Sequence, residues 1–199
     1  YLYNITATLT KNKQPVDRIY DRFGVREYYI DSEKGFFLNG KSYPLHGVSR
    51  HQDRAGVGNA LTKEMHENDM DIILSMGANS IRLAHYQHDN YFYELCDEKG
   101  VIVWAEIPYI TIHMPTAREN TISQMKELIT QNYNHPSIIC WALSNEITLQ
   151  GVTDDLIENH KILNDLVHEM DKSRLSAMAN LFMLETDSPL ITLPDLRGY

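Results

Sequence analysis

From Tyr43 to Ala179, short apolar runs alternate with longer stretches whose apolar residues return every three or four positions. Runs of four to eight apolar residues fit buried strands, and a 3.6-residue period marks amphipathic helices. The predicted order begins with a strand at Leu45–Val48. A helix follows from Thr62 to Gly77, with Met65, Asp69, Ile72, Ile73 and Met76 close in phase. Next come a strand at Ser80–Leu83, a helix from Asp89 through Tyr91, Phe92, Leu95 and Cys96 to Gly100, and a strand at Val101–Trp104. The third helix takes Ile122, Met125, Ile129 and Tyr133 inward and ends before His135-Pro136, ahead of a strand at Ile138–Leu143. A fourth helix starts near Thr153, with Asp154 and Asp155 in its first turn where negative charge suits the helix dipole. It buries Leu156, His160, Leu163, Val167 and Met170, with His160 read as a hydrogen-bonded core residue, and leads to a strand at Leu175–Ala179. Such strand–helix alternation predicts a parallel sheet with right-handed crossovers. The turns around Ser188-Pro189 and Leu193-Pro194-Asp195 supply no evident sixth strand.

The first residues obey a different period. Leu2–Leu9 and Val25–Ile30 alternate and are rich in β-formers, which predicts half-buried strands of a β-sandwich. Two or three strands cannot close a sandwich, so residues 1–33 are assigned to the end of an immunoglobulin-like domain and 34–199 to the first part of a barrel. Asn39-Gly40, between Phe36-Phe37-Leu38 and Ser42–Leu45, is a two-residue hairpin signal and is expected to lid the bottom of that barrel. The expected fold class is therefore α/β, a partial (β/α)8 barrel of about five strands behind a short β-sandwich tail. A complete barrel takes about 250 residues and this chain has 199, so the chain reads as a segment of a larger enzyme whose other domains cover its open edge.

Composition narrows the partners. A formal charge of -9 lacks the clustered Lys and Arg that nucleic acid or an anionic membrane surface would call for. A neutral carbohydrate makes no such demand. No apolar run approaches the roughly 18 residues of a membrane span. Cys96 and Cys140 sit among apolar neighbours without CxxC spacing, and read as reduced core thiols.

The candidate chemistry lies at strand ends, which in a parallel barrel point into the site. Ile138–Ser144 runs apolar and stops at Asn145-Glu146. Together with Asn134-His135-Pro136-Ser137 before it, this ending resembles the acid/base segment of retaining β-glycosidases. Phe23-Gly24-Val25-Arg26, Phe37–Lys41 leading to His46–His51, and Asn79–Tyr86 occur in the order found in glycoside hydrolase family two. Trp104-Ala105-Glu106-Ile107-Pro108 is most similar to its β-galactosidase branch.

The resemblance implies hydrolysis of a terminal β-D-galactoside with retention, which needs two carboxyls about 5–5.5 Å apart. It assigns Glu146 as general acid/base, with a pKa expected to be raised by an apolar surround and a neighbouring carboxylate. Asn145 is assigned to the sugar 2-hydroxyl, His51 and His85 to donating hydrogen bonds to galactosyl hydroxyls and to the developing charge, and Arg82 to orienting the nucleophile. Glu106, Trp104 and His113 are supporting residues, Glu106 by holding Arg82 or a pocket wall. The nucleophile is expected beyond Tyr199; Glu185 lies in a polar turn-like context. Gln87 stands where the family usually has proline, which puts the geometry of the His85–His88 loop in question.

Relatives in the galactosidase branch place a carboxylate two residues before a histidine to hold magnesium beside the acid/base glutamate. Here the segment reads Thr111-Ile112-His113, so no bound ion and no cofactor are expected. Three other readings remain open. One is a β-glucuronidase or other β-glycosidase of the same family, although no basic cluster for a substrate carboxylate stands beside His85. Another is a metal hydrolase using His46, His51, His85 and His113, which lacks the paired His-x-His such sites commonly carry. The third is a non-catalytic carbohydrate-binding segment. Homo-oligomerisation is compatible with the sequence; compartment, glycan and linkage are not encoded in it.

Overall fold

The structure is a computed structural model and describes residues 1–181 and 188–198. Two small antiparallel sheets come first. β1 (Leu2–Lys11) and β2 (Gln14–Gly24) form a hairpin across Asn12-Lys13, both with positive φ. β3 (Tyr28–Asp31), β4 (Gly35–Leu38) and β5 (Lys41–Ser42) form the second sheet, with Asn39-Gly40 turning β4 into β5 at φ 50° and 75°.

The rest is strand–helix alternation. β6 (Gly47–Arg50), α1 (Lys63–Ser75), β7 (Ser80–Leu83), α2 (Asn90–Lys99), β8 (Ile102–Glu106), α3 (Arg118–Asn132), β9 (Ile138–Asn145), α4 (Asp154–Met170) and β10 (Leu175–Ala179) follow in order. A short helix, α5 (Pro189–Thr192), leads to β11 (Leu196–Gly198). The six strands β6 to β11 pair in sequence order, all parallel, as part of a (β/α) barrel. β11 is thus a sixth barrel strand that the sequence reading missed, because three residues between turns carry too little pattern to register.

Side chains divide between two layers. Met70, Leu83, Phe92, Val103, Ala105, Leu128, Trp141, Leu143 and Leu163 pack between sheet and helices. Ile102, Ile139, Cys140, Ala142 and Ala177 pack with Phe36 inside the sheet's curl, against Leu38, Tyr43 and Trp104. Phe36 therefore closes the lower end of the interior, as the Asn39-Gly40 hairpin predicts. Cys96 and Cys140 are free and buried.

Several expectations shift. The first barrel strand is Gly47–Arg50 rather than Leu45–Val48, because the Asn79 side chain binds both Pro44 O and His46 N and holds that stretch as an entry loop. α1 buries His66, Met70 and Ile73, leaving Ile72 51 % and Met76 61 % exposed. The helix is rolled so that His66 and Asp69 reach the buried guanidinium of Arg50. Tyr133 lies at the end of α3 and stays half exposed, with Arg174 over its ring. The hairpin β1–β2 is exposed along nearly its whole length rather than half buried. Val25–Glu27 is not strand, because the Arg26 side chain turns in to Pro136 O and Ile138 O. Gly24 is required beside it, since a Cβ there would stand 2.7 Å from Pro136 Cγ.

One buried ion pair ties the layers together. Asp171 accepts from Arg174 Nη1 at 2.7 Å, from Trp141 Nε1 at 3.0 Å and from Ser173, while Arg174 also donates to the carbonyls of Tyr133, His135 and Ile138. Burial pushes the Asp171 carboxyl up, but the bonds from Arg174 and Ser173 outweigh it and hold the group below the ordinary carboxylate range. A depressed folded pKa stabilises the fold above the unfolded value near 3.9, and that contribution is lost as pH falls through the folded value. Removing one partner leaves a buried charge uncompensated. Asp171→Ala should therefore destabilise the barrel by about 3–5 kcal/mol in denaturant titrations of the intact enzyme. A loss below about 1 kcal/mol would contradict this account of the pair.

Candidate active site

The strand ends of β7, β8 and β9 bring Arg82, Glu106 and Asn145 together. Glu106 is 1 % exposed and takes three donors: Arg82 Nε, Trp104 Nε1 at 2.8 Å and His85 Nδ1 at 3.2 Å. Arg82 spans to the next strand but one, where its Nη2 donates to Asn145 Oδ1 at 2.5 Å. Three barrel strands are thus locked at their C-terminal ends by one guanidinium.

The loop after β7 carries His85 and Tyr86. The exposed ring of His51, which follows β6, meets His85 edge-on at 5.0 Å between centroids and also approaches Tyr86. Gln87, which stands where the resemblance has a proline, donates to Gln131 of α3 at 2.7 Å, so an amide pair anchors the loop.

β9 changes its spacing just before it ends. Ala177 pairs with Ala142 but Ala179 pairs with Asn145, so β9 has one extra residue there. Bulges of this kind re-aim the side chains that follow them. Asn145 remains buried, whereas Glu146 adopts φ 47° and is exposed. Its backbone N–H donates to Ala179 O at 2.8 Å. The apolar surround expected for Glu146 is therefore not found among the described residues, because the left-handed turn carries the residue out of the sheet. Glu185 lies outside the described residues.

His113 stands on the other side of this strand end. Its Nδ1 faces Tyr109 Oη and its Nε2 lies 2.7 Å from Asp155 Oδ2, with Arg118 also on Asp155. Sequence reading placed Asp155 only at a helix start and did not find this contact, since 42 residues separate it from His113. The buried network of Arg50 with Asp69, His66 and His88 was missed for the same reason. Burial brings His88 and His160 down to about 4, so both stay neutral in working conditions. His160 meets Ser144 Oγ at 2.7 Å and Leu156 O at 2.9 Å, as a bonded core residue.

The donor set does not suit a divalent cation. Both ring nitrogens of His113 are engaged, Thr111 offers a neutral hydroxyl, and among the described residues no three His, Cys, Asp or Glu side chains gather as a metal site. Nor do the four histidines of the metal-hydrolase reading cluster. His46 precedes β6 and His51 follows it, at opposite ends of one strand.

A parallel (β/α) barrel with carboxylates and an amide at its C-terminal rim is an architecture that glycosidases use. Residues 30–188 match the family described as "Glycosyl hydrolases family 2, TIM barrel domain", and the chain belongs to that family. It is 44% identical over 189 residues to a β-glucuronidase of Bacteroides fragilis, covering 90% of this chain and 27% of that protein. It is 33% identical to a β-galactosidase of Thermoanaerobacterium thermosulfurigenes, covering 87% of this chain and 24% of that one. A solved structure, the FMN-binding β-glucuronidase from Facaelibacterium prausnitzii L2-6, superposes with a TM-score of 0.95 at 46% identity, over 98% of this chain and 31% of that one. The chain spans about a quarter of the length of the curated relatives it matches.

Because both ring nitrogens of His113 are engaged and Thr111 offers no carboxylate, activity of the full-length enzyme should survive exhaustive chelation. Loss in EDTA with recovery on added magnesium would overturn this reading of Thr111 and His113.

Proposed function

We propose that this chain supplies the acid/base half of a retaining β-glucuronidase, with Glu146 as general acid/base. The observation that carries the mechanism is the bulged end of β9, which sets Glu146 beside an Asn145 already fixed by Arg82. Glu146 protonates the leaving oxygen and later takes a proton from the attacking water. Asn145 accepts from Arg82 through Oδ1, so its amide N–H2 is the group left to meet the sugar 2-hydroxyl. The contact strengthens as positive charge grows on the sugar ring. In a neutral His85 the Nδ1–H goes to Glu106, leaving Nε2 to accept from a sugar hydroxyl rather than donate as the resemblance implied. His51 offers a second ring nitrogen beside it. Glu106, saturated by three donors, is a positioning group and a poor nucleophile, and the nucleophilic glutamate is placed on a later barrel strand. Residues 1–33 are proposed as the end of a preceding β-sandwich domain.

Glucuronide takes precedence over galactoside, which the sequence reading had favoured, because the glucuronidase relative is 44% identical and the galactosidase 33%. In the full-length enzyme, kcat/KM for an aryl β-glucuronide should exceed that for the matching galactoside by at least about 10²-fold, and the reverse ratio would restore the galactosidase reading. Glu146→Gln should cut kcat/KM for poor leaving groups by about 10²–10⁴-fold while nearly sparing dinitrophenyl glycosides, which need no proton. Equal losses on both would remove Glu146 from the acid role. The 199-residue chain alone should turn over neither substrate, as it holds no nucleophile in this scheme.

A further inference from the structure

The carboxyl of Glu146 depends on a backbone that a separate loop holds in place. Asn145 N donates to Tyr109 O and Thr111 N donates to Asn145 O, each at 3.0 Å. Ile110 bridges Asn145 in parallel and Ile112 bridges Thr148 in antiparallel sense, so the segment 109–112 runs along both sides of Glu146. Thr111 and Glu146 both have positive φ, at 67° and 47°, conformations that non-glycine residues keep only where their surroundings impose them. On the other side the Glu146 N–H to Ala179 O bond, next to the Ala179–Asn145 pairing, restrains the turn.

What fixes the loop itself is His113. Tyr109 Oη lies on Nδ1 and Asp155 Oδ2 on Nε2, joining the two ends of the loop to each other and to the first turn of α4. Arg118, at the start of α3, pairs with the same carboxylate. A neutral ring satisfies every partner: the phenol donates to Nδ1 and Nε2–H donates to Asp155. Burial pushes the Tyr109 phenol up to about 12, so it keeps the proton it donates. His113 is largely buried and Tyr109 is 5 % exposed, which leaves little room for the ring to swing away.

We infer that His113, gripped between Tyr109 and Asp155, is a positioning residue for Glu146, acting through the 109–112 backbone rather than by touching substrate. This rests on the acid/base reading of Glu146. A misplacement of about 1 Å can cost on the order of 10²-fold in rate, and since Arg82 separately holds the Asn145 side chain, the effect should fall mainly on proton donation.

The test uses the full-length enzyme with His113→Phe, which removes both bonds, and Tyr109→Phe, which removes one and keeps the core volume. kcat/KM is measured on an alkyl β-glucuronide and on the dinitrophenyl β-glucuronide, in the native and the Glu146→Gln backgrounds. His113→Phe should lose about 30–100-fold on the alkyl substrate and less than about threefold on the dinitrophenyl one, with Tyr109→Phe intermediate. In the Glu146→Gln background neither variant should cost anything further on the alkyl substrate. Equal losses on the two substrates, or losses that multiply with Glu146→Gln, would reduce His113 to a structural role. If His113→Phe does not fold, Tyr109→Phe decides by the same two comparisons. Should Glu146→Gln itself fail to distinguish the substrates, the acid/base reading falls; should it distinguish them while the His113 and Tyr109 variants do not, only the positioning inference falls.

Discussion

The barrel part of the chain is organised around β9, which pairs with β8 and β10 and packs against α4. The strand's eight residues are buried without exception, so both faces must be covered: helices and Trp141's partners on one, the curl of the sheet with Phe36 on the other. A parallel strand covered on both sides reads as a continuous apolar run, and it has no freedom to slip, since a shift by one residue would exchange its two faces. The fixed register brings the chain to the rim at Asn145. The strand adjusts twice, by an extra residue against β8 near Ile139 and by another against β10 just before Asn145, and the second sets the direction in which the chain leaves the sheet.

The rim uses charge sparingly. Arg82 and Glu106 cancel one another, and their bonds to Asn145, His85 and Trp104 leave few polar atoms without a partner. Such a saturated arrangement costs desolvation, which partners of good geometry offset, and it yields rigidity. Glu146 stands outside it and exposed.

Much of this was legible in the sequence. The 138–145 run, the glycine stops after α1 and α2, the Thr62 and Thr153 caps and the Asn39-Gly40 turn are local signals, and each corresponds to an observed feature. The rolled face of α1 was not legible, because periodicity weighs Ile72 and Met76 as core and cannot know that Arg50 draws His66 and Asp69 inward. His113 and Asp155 lie 42 residues apart, and Arg82 and Asn145 lie 63 apart. Polar partners at such separations leave no periodic trace. The short β11 escaped notice because its pairing comes from the strand beside it and not from its own three residues.

The chain has two tryptophans, and they sit in different layers. Trp104 faces the sheet's interior and donates to Glu106, while Trp141 lies on the helix side under Arg174 and donates to Asp171. Their emission therefore separates two events. A change at the rim would reach the indole of Trp104 through the Glu106 cluster, whereas loosening of the helical shell would reach Trp141 through its contacts with Arg174 and Asp171. Single replacements of each by phenylalanine would separate their two contributions to the emission, one from the rim and one from the scaffold.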